Sequence, residues 1–323
     1  MKAIVCRRYG SPDVLELAEV EKPVPSAGEV LIRVRAASVN PFDRHFMRGK
    51  PFPIRAMTGL RRPKESRAGV DVAGEVESVG TSVIDLKVGD AVFGSARGAF
   101  GDYVCTSKVI RKPNGMTFED AAAVPVAGFT ALQAVRDRGH VQAGEKVLIH
   151  GAAGGVGTFA LQIAKAYGAE VTAVSRPENF DLLRSIGADH VVDYTRDDFT
   201  KSGQYDVIID CYATRPLAAC RRALAPHGRY VMVGGPAGGL LASVTGLLAA
   251  KLLSIGSNRK VAIVSAKSNL NDLATLAEWI EAGKVKPVID RQYALSEVPD
   301  AMRYLEQGRA RGKIVIQMSH PSN

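Results

Sequence analysis

The chain has 323 residues, long for one domain and sufficient for two that each bury a core. The composition is that of an ordinary soluble protein, and the four cysteines, Cys6, Cys105, Cys211 and Cys220, are far apart with no C-x-x-C pair, which leaves no disulfide framework and no zinc knuckle. The 42 Lys and Arg exceed the 33 Asp and Glu for a net charge of +9, suited to an anionic cofactor or, less specifically, to nucleic acid; apart from Arg61-Arg62-Pro63-Lys64 the basic residues are scattered and read as solvated surface.

Met1-Lys2-Ala3-Ile4-Val5 enters a strand directly with no signal-peptide core, so the cytoplasm is the expected location. Residues 1 to about 122 read as all-β, because short Val-rich runs recur between turn signals: Leu31 to Ala36 alternates, Asp71 to Val79 half alternates, and Val88 to Phe93 starts at a turn. Such spacing predicts a small barrel. From Glu119 the pattern changes to helix through Ala123, and again from Thr130 to Val135.

The next stretch, Lys146 to Arg176, predicts a βαβ unit. Lys146 to His150 is an apolar run ending at glycines, Thr158 to Tyr167 repeats apolar residues at helical spacing, Gly168 closes that helix, and Glu170 to Ser175 is a second strand. The turn between them, Gly151-Ala152-Ala153-Gly154-Gly155-Val156-Gly157, is a dinucleotide fingerprint with alanine at the first glycine position. Gly154 and Gly155 let the backbone approach a pyrophosphate, Gly157 lets helix and strand pack closely, and the helix N-terminus offers N–H groups and positive dipole. At the end of the second strand an NAD site places Asp or Glu; here Ser175-Arg176 stands there, with no carboxylate before Glu178. A guanidinium and a hydroxyl suit a 2′-phosphate, so NADPH is the expected cofactor.

Pro177 is expected to begin the next helix. Asp206 to Cys211 and Arg229 to Val233 continue a doubly wound pattern. The apolar run Leu240 to Ala250 stops at Lys251, too short to span a bilayer, so no membrane partner is expected. After Asn269 the pattern predicts a helix (Leu270 to Ala282), a strand near Val288, a helix from Glu297 and a last strand, Lys313 to Gln317. No G-x-S-x-G elbow occurs, so a serine hydrolase is unsupported.

The chain as a whole resembles the medium-chain dehydrogenase/reductase superfamily, in its zinc-free quinone oxidoreductase (zeta-crystallin-like) branch. The resemblance rests on Ser38 to Asp43, Gly69 to Val76, Val88 to Phe93, Ala127 to Ala131, the glycine turn, Ile186 to Tyr194, and Arg311 to Val315. It implies an α/β architecture in which a Rossmann doubly wound parallel sheet, residues 125–264, is inserted into a GroES-like β-barrel catalytic domain, residues 1–124, completed by 265–323. It also implies a homodimer formed through edge strands of the cofactor domains. Where the zinc-dependent members have a ligand Cys and a ligand His, this chain has Asn40 and Val70, and no four-cysteine lobe follows Phe93; no metal is expected. Without zinc a carbonyl is not strongly polarised, so the expected acceptors are quinones or α,β-unsaturated carbonyls, whose charge spreads onto oxygen as hydride arrives. The sequence leaves these two acceptors open, along with a non-enzymatic NADPH-sensing or RNA-binding role, nucleic acid being the less expected partner.

By the same resemblance Asn40 lies near the nicotinamide and Thr130 contacts the cofactor. Ala153, Gly154, Gly155, Val156 and Gly157 hold the pyrophosphate, Ser175, Arg176 and Tyr194 surround the 2′-phosphate, Val233-Gly234 runs along the cofactor, and Lys313 approaches it from the tail. Relatives often carry a tyrosine two residues after the N-x-x-D motif. Here that residue is His45, which with an ordinary pKa of about 6.5 can donate the proton that follows hydride addition; otherwise it packs near Phe46 and Phe52 and water donates.

Overall fold

The computed structural model describes residues 1–233 and 258–318, so Gly234 and the apolar run Leu240 to Ala250 lie outside the described residues. The chain forms two compact units: Met1–Ala127 with Ser268–Glu281 and Pro287–Asn323, and Gly128–Lys267 with Ala282–Lys286.

In the first unit β1 (Lys2–Cys6) pairs antiparallel with β2 (Leu15–Glu19). The long strand β3 (Val30–Val39) is the spine of a larger sheet: β4 (Asp71–Val79), β6 (Tyr103–Thr106) and the tail strand β15 (Lys313–Gln317) all pair with it antiparallel. The sheet continues through β5 (Ala91–Ser95) and β7 (Val109–Arg111) on one side and ends with β14 (Ile289–Ala294), parallel to β15, on the other. Alternation along β3 sends Ile32 and Val34 into a core shared with Val72, Val92, Ile314 and Ile316, while Arg33 and Arg35 face outward and pair across the ladder with Glu77 and Glu75 at 2.9 Å each.

Two sequence expectations for this unit need correction. It is not all-β before α3 (Phe118–Ala123), because α1 (Pro41–Arg48) and α2 (Pro53–Thr58) follow β3. The short α1 has no sustained period, yet it carries terminal signals: Pro41 at its first turn, the Asp43 carboxylate accepting the Asn40 N–H at 2.8 Å, and Gly49 left-handed at φ 57 at its end. The strand expected from Val88 starts only at Ala91. Gly89 is left-handed (φ 89) in a Lys87–Asp90 turn closed by Asp90 N–H to Lys87 O at 3.1 Å, so regular pairing begins after it, although Gly89 and Asp90 already exchange bonds with Val76 of β4 at 2.9 Å each.

The second unit is a six-stranded, all-parallel sheet in the order β10-β9-β8-β11-β12-β13, formed by His190–Asp193, Glu170–Ser175, Lys146–His150, Tyr205–Asp210, Leu224–Val233 and Lys260–Val264. Its central strands are continuous buried runs, as a sheet covered on both faces requires. The chain winds outward from β8 to β10 and returns beside β8 as β11, so strand order reverses between β8 and β11. Crevices for ligands in such sheets open at that switch, outside the carboxyl ends of the strands. Helix α4 (Pro125–Leu132) continues into a wider turn, Gln133–Arg138; α5 (Gly155–Ala166) links β8 to β9; Pro177–Asn179 is a single 3₁₀ turn before α6 (Phe180–Ser185).

The tail strand is internal to the first sheet and Ile316 is fully buried opposite Ala37. Ile316→Ala in the intact chain should therefore cost about 2–5 kcal/mol in denaturant unfolding. A loss well under 1 kcal/mol would mean that the tail adds little to this sheet.

Candidate active site

The glycine turn forms the tip of β8. Gly151 is left-handed (φ 77), Gly154 is the extended N-cap of α5, and the first helical bond is Thr158 N–H to Gly154 O at 3.0 Å. The amides of Gly155, Val156 and Gly157 precede that bond and point out of the helix end, where the dipole favours an anion. A β-carbon on Gly154 would meet nothing nearer than Gly151 O at 3.5 Å, so the chain leaves open space there; one on Gly157 would lie 2.2 Å from Gly151 O, so helix and strand tolerate only glycine. Ala152 and Ala153 are buried in the turn.

At the end of β9, Arg176 donates from Nε to the Tyr194 hydroxyl at 2.7 Å, which aims the guanidinium while about half of the side chain stays exposed. Ser175 Oγ accepts from Asn179 Nδ2 at 2.8 Å, which leaves its own proton to donate. Asn179 Oδ1 is buried without a partner among the described residues, an acceptor available to a hydroxyl. Ser175, Arg176 and Tyr194 are thus brought together, and Asn179 joins them; its place in the 3₁₀ turn after Pro177 gave no sequence signal. Val233 ends β12 and Thr130 lies half-buried on α4.

Behind the turn is a network that sequence reasoning missed. Asp210, at the end of β11, is fully buried and accepts from His150 Nδ1 (2.9 Å), the Tyr230 hydroxyl (2.6 Å) and the amides of Tyr212 (3.0 Å) and Ala213 (2.6 Å). Burial raises its pKa, but the hydrogen bond and charge of His150, with Tyr230, outweigh this and hold the carboxyl below its ordinary range. His150 is the last residue of β8, so the network braces the strand end from which the glycine turn leaves.

In the first unit a buried polar cluster collects Ser38, Asn40, Asp43, Asp71 and Lys313. Asp71 Oδ2 accepts from Ser38 Oγ (2.8 Å), Asn40 Nδ2 (2.8 Å) and Lys313 Nζ (3.3 Å), while its Oδ1 accepts the Val126 amide at the start of α4 (3.0 Å). Lys313 also donates to Asn40 Oδ1 (2.5 Å) and Val39 O (3.3 Å). Burial lowers the Lys313 pKa against the pull of Asp71 and Asp43. Burial likewise pushes the Asp43 carboxyl up to about 7, opposed by its hydrogen bond from Asn40 and reinforced by the nearby charge of Asp71.

Three of the expected residues spend polar atoms on partners within the chain. Asn40 spends both amide protons on Asp71 and Ser38 O and its oxygen on Lys313, so it acts as a buried strut and offers no donor outward. Lys313 is 3% exposed with its ammonium committed to three acceptors. His45 on α1 meets Lys50 O at 2.8 Å through Nδ1, which must be the protonated nitrogen because a carbonyl only accepts. Partial burial lowers its pKa, so near neutral pH the ring is uncharged with a lone pair on Nε2, an acceptor rather than an acid.

Comparison with known proteins agrees with this architecture. The family description "Alcohol dehydrogenase GroES-like domain" matches residues 26–145 and "Zinc-binding dehydrogenase" matches 186–316. The chain is 35% identical to the 2-methylene-furan-3-one reductase of Solanum lycopersicum, covering 99% of this chain and 79% of that protein. It is 34% identical to a chloroplastic NADPH-dependent alkenal/one oxidoreductase of Arabidopsis thaliana, over 98% and 79% of the respective chains. The solved quinone oxidoreductase of Coxiella burnetii superposes with a TM-score of 0.88 at 30% identity, covering 99% of both chains. The chain belongs to the medium-chain dehydrogenase/reductase superfamily. Within it, the chain falls in the quinone oxidoreductase branch.

The zinc that names one matched family does not fit this donor set. Val70 has no donor atom, Asn40 is consumed internally, and among the described residues no three His, Cys, Asp or Glu side chains come together as a metal site.

Two outcomes follow from this geometry. Arg176→Ala should weaken NADPH binding about tenfold, the lower range for charged hydrogen bonds at a half-exposed site, and leave NADH unchanged in fluorescence titration; equal losses for both would remove Arg176 from the 2′-phosphate. Because the folded Asp43 pKa of about 7 lies above its ordinary 3.8, its contribution to stability is full below the lower value and is lost as pH rises through the upper. Asp43→Asn keeps a neutral acceptor for Asn40 and should show a smaller fall in melting temperature between about pH 5 and about pH 8 than the parent. Parallel melting curves across that range would sink this account.

Proposed function

We propose that the protein transfers hydride from NADPH to quinones and α,β-unsaturated carbonyls without a metal. The observation that carries the reading is the donor set at the zinc positions, where Asn40 and Val70 cannot hold a Lewis-acidic zinc. The relatives named for alkenal, furanone and quinone reduction, aligned along nearly the whole chain, support the same acceptors. NADPH supplies the hydride when bound. The amides of Gly155, Val156 and Gly157 take its pyrophosphate at the positive end of α5, and Arg176, held by Tyr194, takes the 2′-phosphate with the Ser175 hydroxyl. Among the described residues no helix is long and apolar enough to cross a membrane.

Asn40 and Lys313 serve as positioning residues in the buried cluster. Acceptors whose negative charge delocalises need less electrostatic help than a saturated carbonyl, which suits a site whose strongest cation is turned inward. The proton that completes enone reduction comes from water, because His45 holds its one ring proton against Lys50 O.

A panel of a quinone, a 2-alkenal, a cyclic enone and a saturated aldehyde, run with NADPH in the presence of a chelator, tests the reading. The first three should be reduced and the aldehyde poorly; efficient aldehyde reduction, or activity lost to the chelator, would overturn it. In the same assay His45→Phe should change enone turnover by less than about threefold, whereas loss of a true general acid costs about a hundredfold.

A further inference from the structure

The end of β9 holds one group to which a phosphate gives no task. Arg176 is a donor throughout, Ser175 has its own proton to give, and Tyr194, whose hydroxyl accepts from Arg176 Nε at 2.7 Å, keeps its proton as well. Three donors suit an ionised phosphate, which only accepts. Asn179 adds an acceptor to this group. Its Nδ2 donates to Ser175 Oγ at 2.8 Å, and its Oδ1 is buried with no partner among the described residues. A buried carbonyl oxygen left unpaired has lost its hydration for nothing, so such an atom calls for a donor from elsewhere.

The amide is held in place from both sides. Ser175, the last residue of β9, is itself buried, and its carbonyl accepts the Tyr194 amide at 3.3 Å, which fixes the hydroxyl that Asn179 meets. Pro177 starts the 3₁₀ turn with its φ set by the ring, and the Asn179 N–H closes it on Arg176 O at 3.1 Å.

An oxygen that only accepts is a poor neighbour for the 2′-phosphate and a good one for a hydroxyl. The adenosine ribose of NADPH carries one hydroxyl, the 3′, on the carbon beside the one that bears the phosphate. A group of donors with a single acceptor next to it therefore matches the two substituents of that ribose in their opposite chemistry.

We propose that Asn179 Oδ1 accepts the 3′-hydroxyl of the adenosine ribose, dividing recognition of this end of the cofactor between an anion side (Ser175, Arg176 and Tyr194) and a hydroxyl side (Asn179). The assignment rests on NADPH as the cofactor. The two sides have different consequences, because only the anion side discriminates NADPH from NADH, whereas both cofactors carry the 3′-hydroxyl. Asn179→Asp keeps the acceptor but sets a negative charge beside the phosphate, much as NAD-specific sites place a carboxylate on the ribose.

Calorimetric titration of the intact protein with adenosine 2′,5′-bisphosphate and with its 3′-deoxy analogue tests the assignment without turnover. The parent should bind the first about tenfold more tightly, the usual effect of leaving a buried acceptor unpaired. Asn179→Ala should bind both equally, with a melting temperature close to the parent's, and Arg176→Ala should weaken both while keeping the gap between them. Asn179→Asp should hold NADH within about threefold of the parent and weaken NADPH by more than about tenfold, through repulsion of like charges. Equal affinity of the parent for the two bisphosphates would overturn the assignment and leave the NADPH reading standing. A loss in Asn179→Ala confined to NADPH would also overturn it, by giving the amide nitrogen to the phosphate. Failure of the parent to bind adenosine 2′,5′-bisphosphate at all would remove the NADPH reading and this assignment with it.

Discussion

The first unit depends on one buried carboxylate. Asp71 is fully excluded from solvent and carries four hydrogen bonds, from the hydroxyl of Ser38, the amide of Asn40, the ammonium of Lys313 and the backbone of Val126. Each donor comes from a different part of the chain: β3, the turn after it, the tail, and the start of α4. An ionised carboxylate out of water is tolerated only with its lone pairs filled, and removing one partner of such a group typically costs about 3–5 kcal/mol because the other charge is left uncompensated. Asp71 therefore fixes where the tail strand, the α1 turn and the first residues of α4 sit within their unit.

Asp210 fills the equivalent place in the second unit by different means. Its partners are mostly local: His150 on the adjacent strand, Tyr230 on the other adjacent strand, and two amides of its own following loop. That loop is strained enough to put Ala213 at φ 49, and it runs against the glycine turn, where the Tyr212 β-carbon would meet a β-carbon on Gly151 at 3.4 Å. The surface at the tip of β8 is thus made of backbone, and side chains work behind it to hold that backbone still.

The legibility of these features follows their range along the chain. The βαβ unit could be read residue by residue, with strands Lys146–His150 and Glu170–Ser175 as expected, because a parallel strand, a glycine turn and an amphipathic helix each leave a local pattern. The last strand, Lys313–Gln317, was equally visible as a strand. Its lysine was not visible as a core residue, since nothing near Lys313 in sequence announces acceptors at Asn40 and Asp71 more than two hundred positions away. His45 illustrates the opposite failure. Its position in the motif was legible, but its protonation depends on the Lys50 carbonyl five residues later, past the end of α1, and residue type alone does not carry that. The helix α1 was hidden because its eight residues are defined by their ends rather than by a period.

The internal place of β15 sets an order on biosynthesis. All six strands of the parallel sheet have been made by Val264, whereas the first sheet lacks the strand between β14 and β3 until Gln317 has been added. At ordinary elongation rates of about 5–20 residues per second, the nascent β3–β4 pair spends some seconds carrying Asp71 without its ammonium and β3 without one neighbour. The half of the protein translated first is in this sense the half completed last, and during that interval it carries an open strand edge on which another chain could pair.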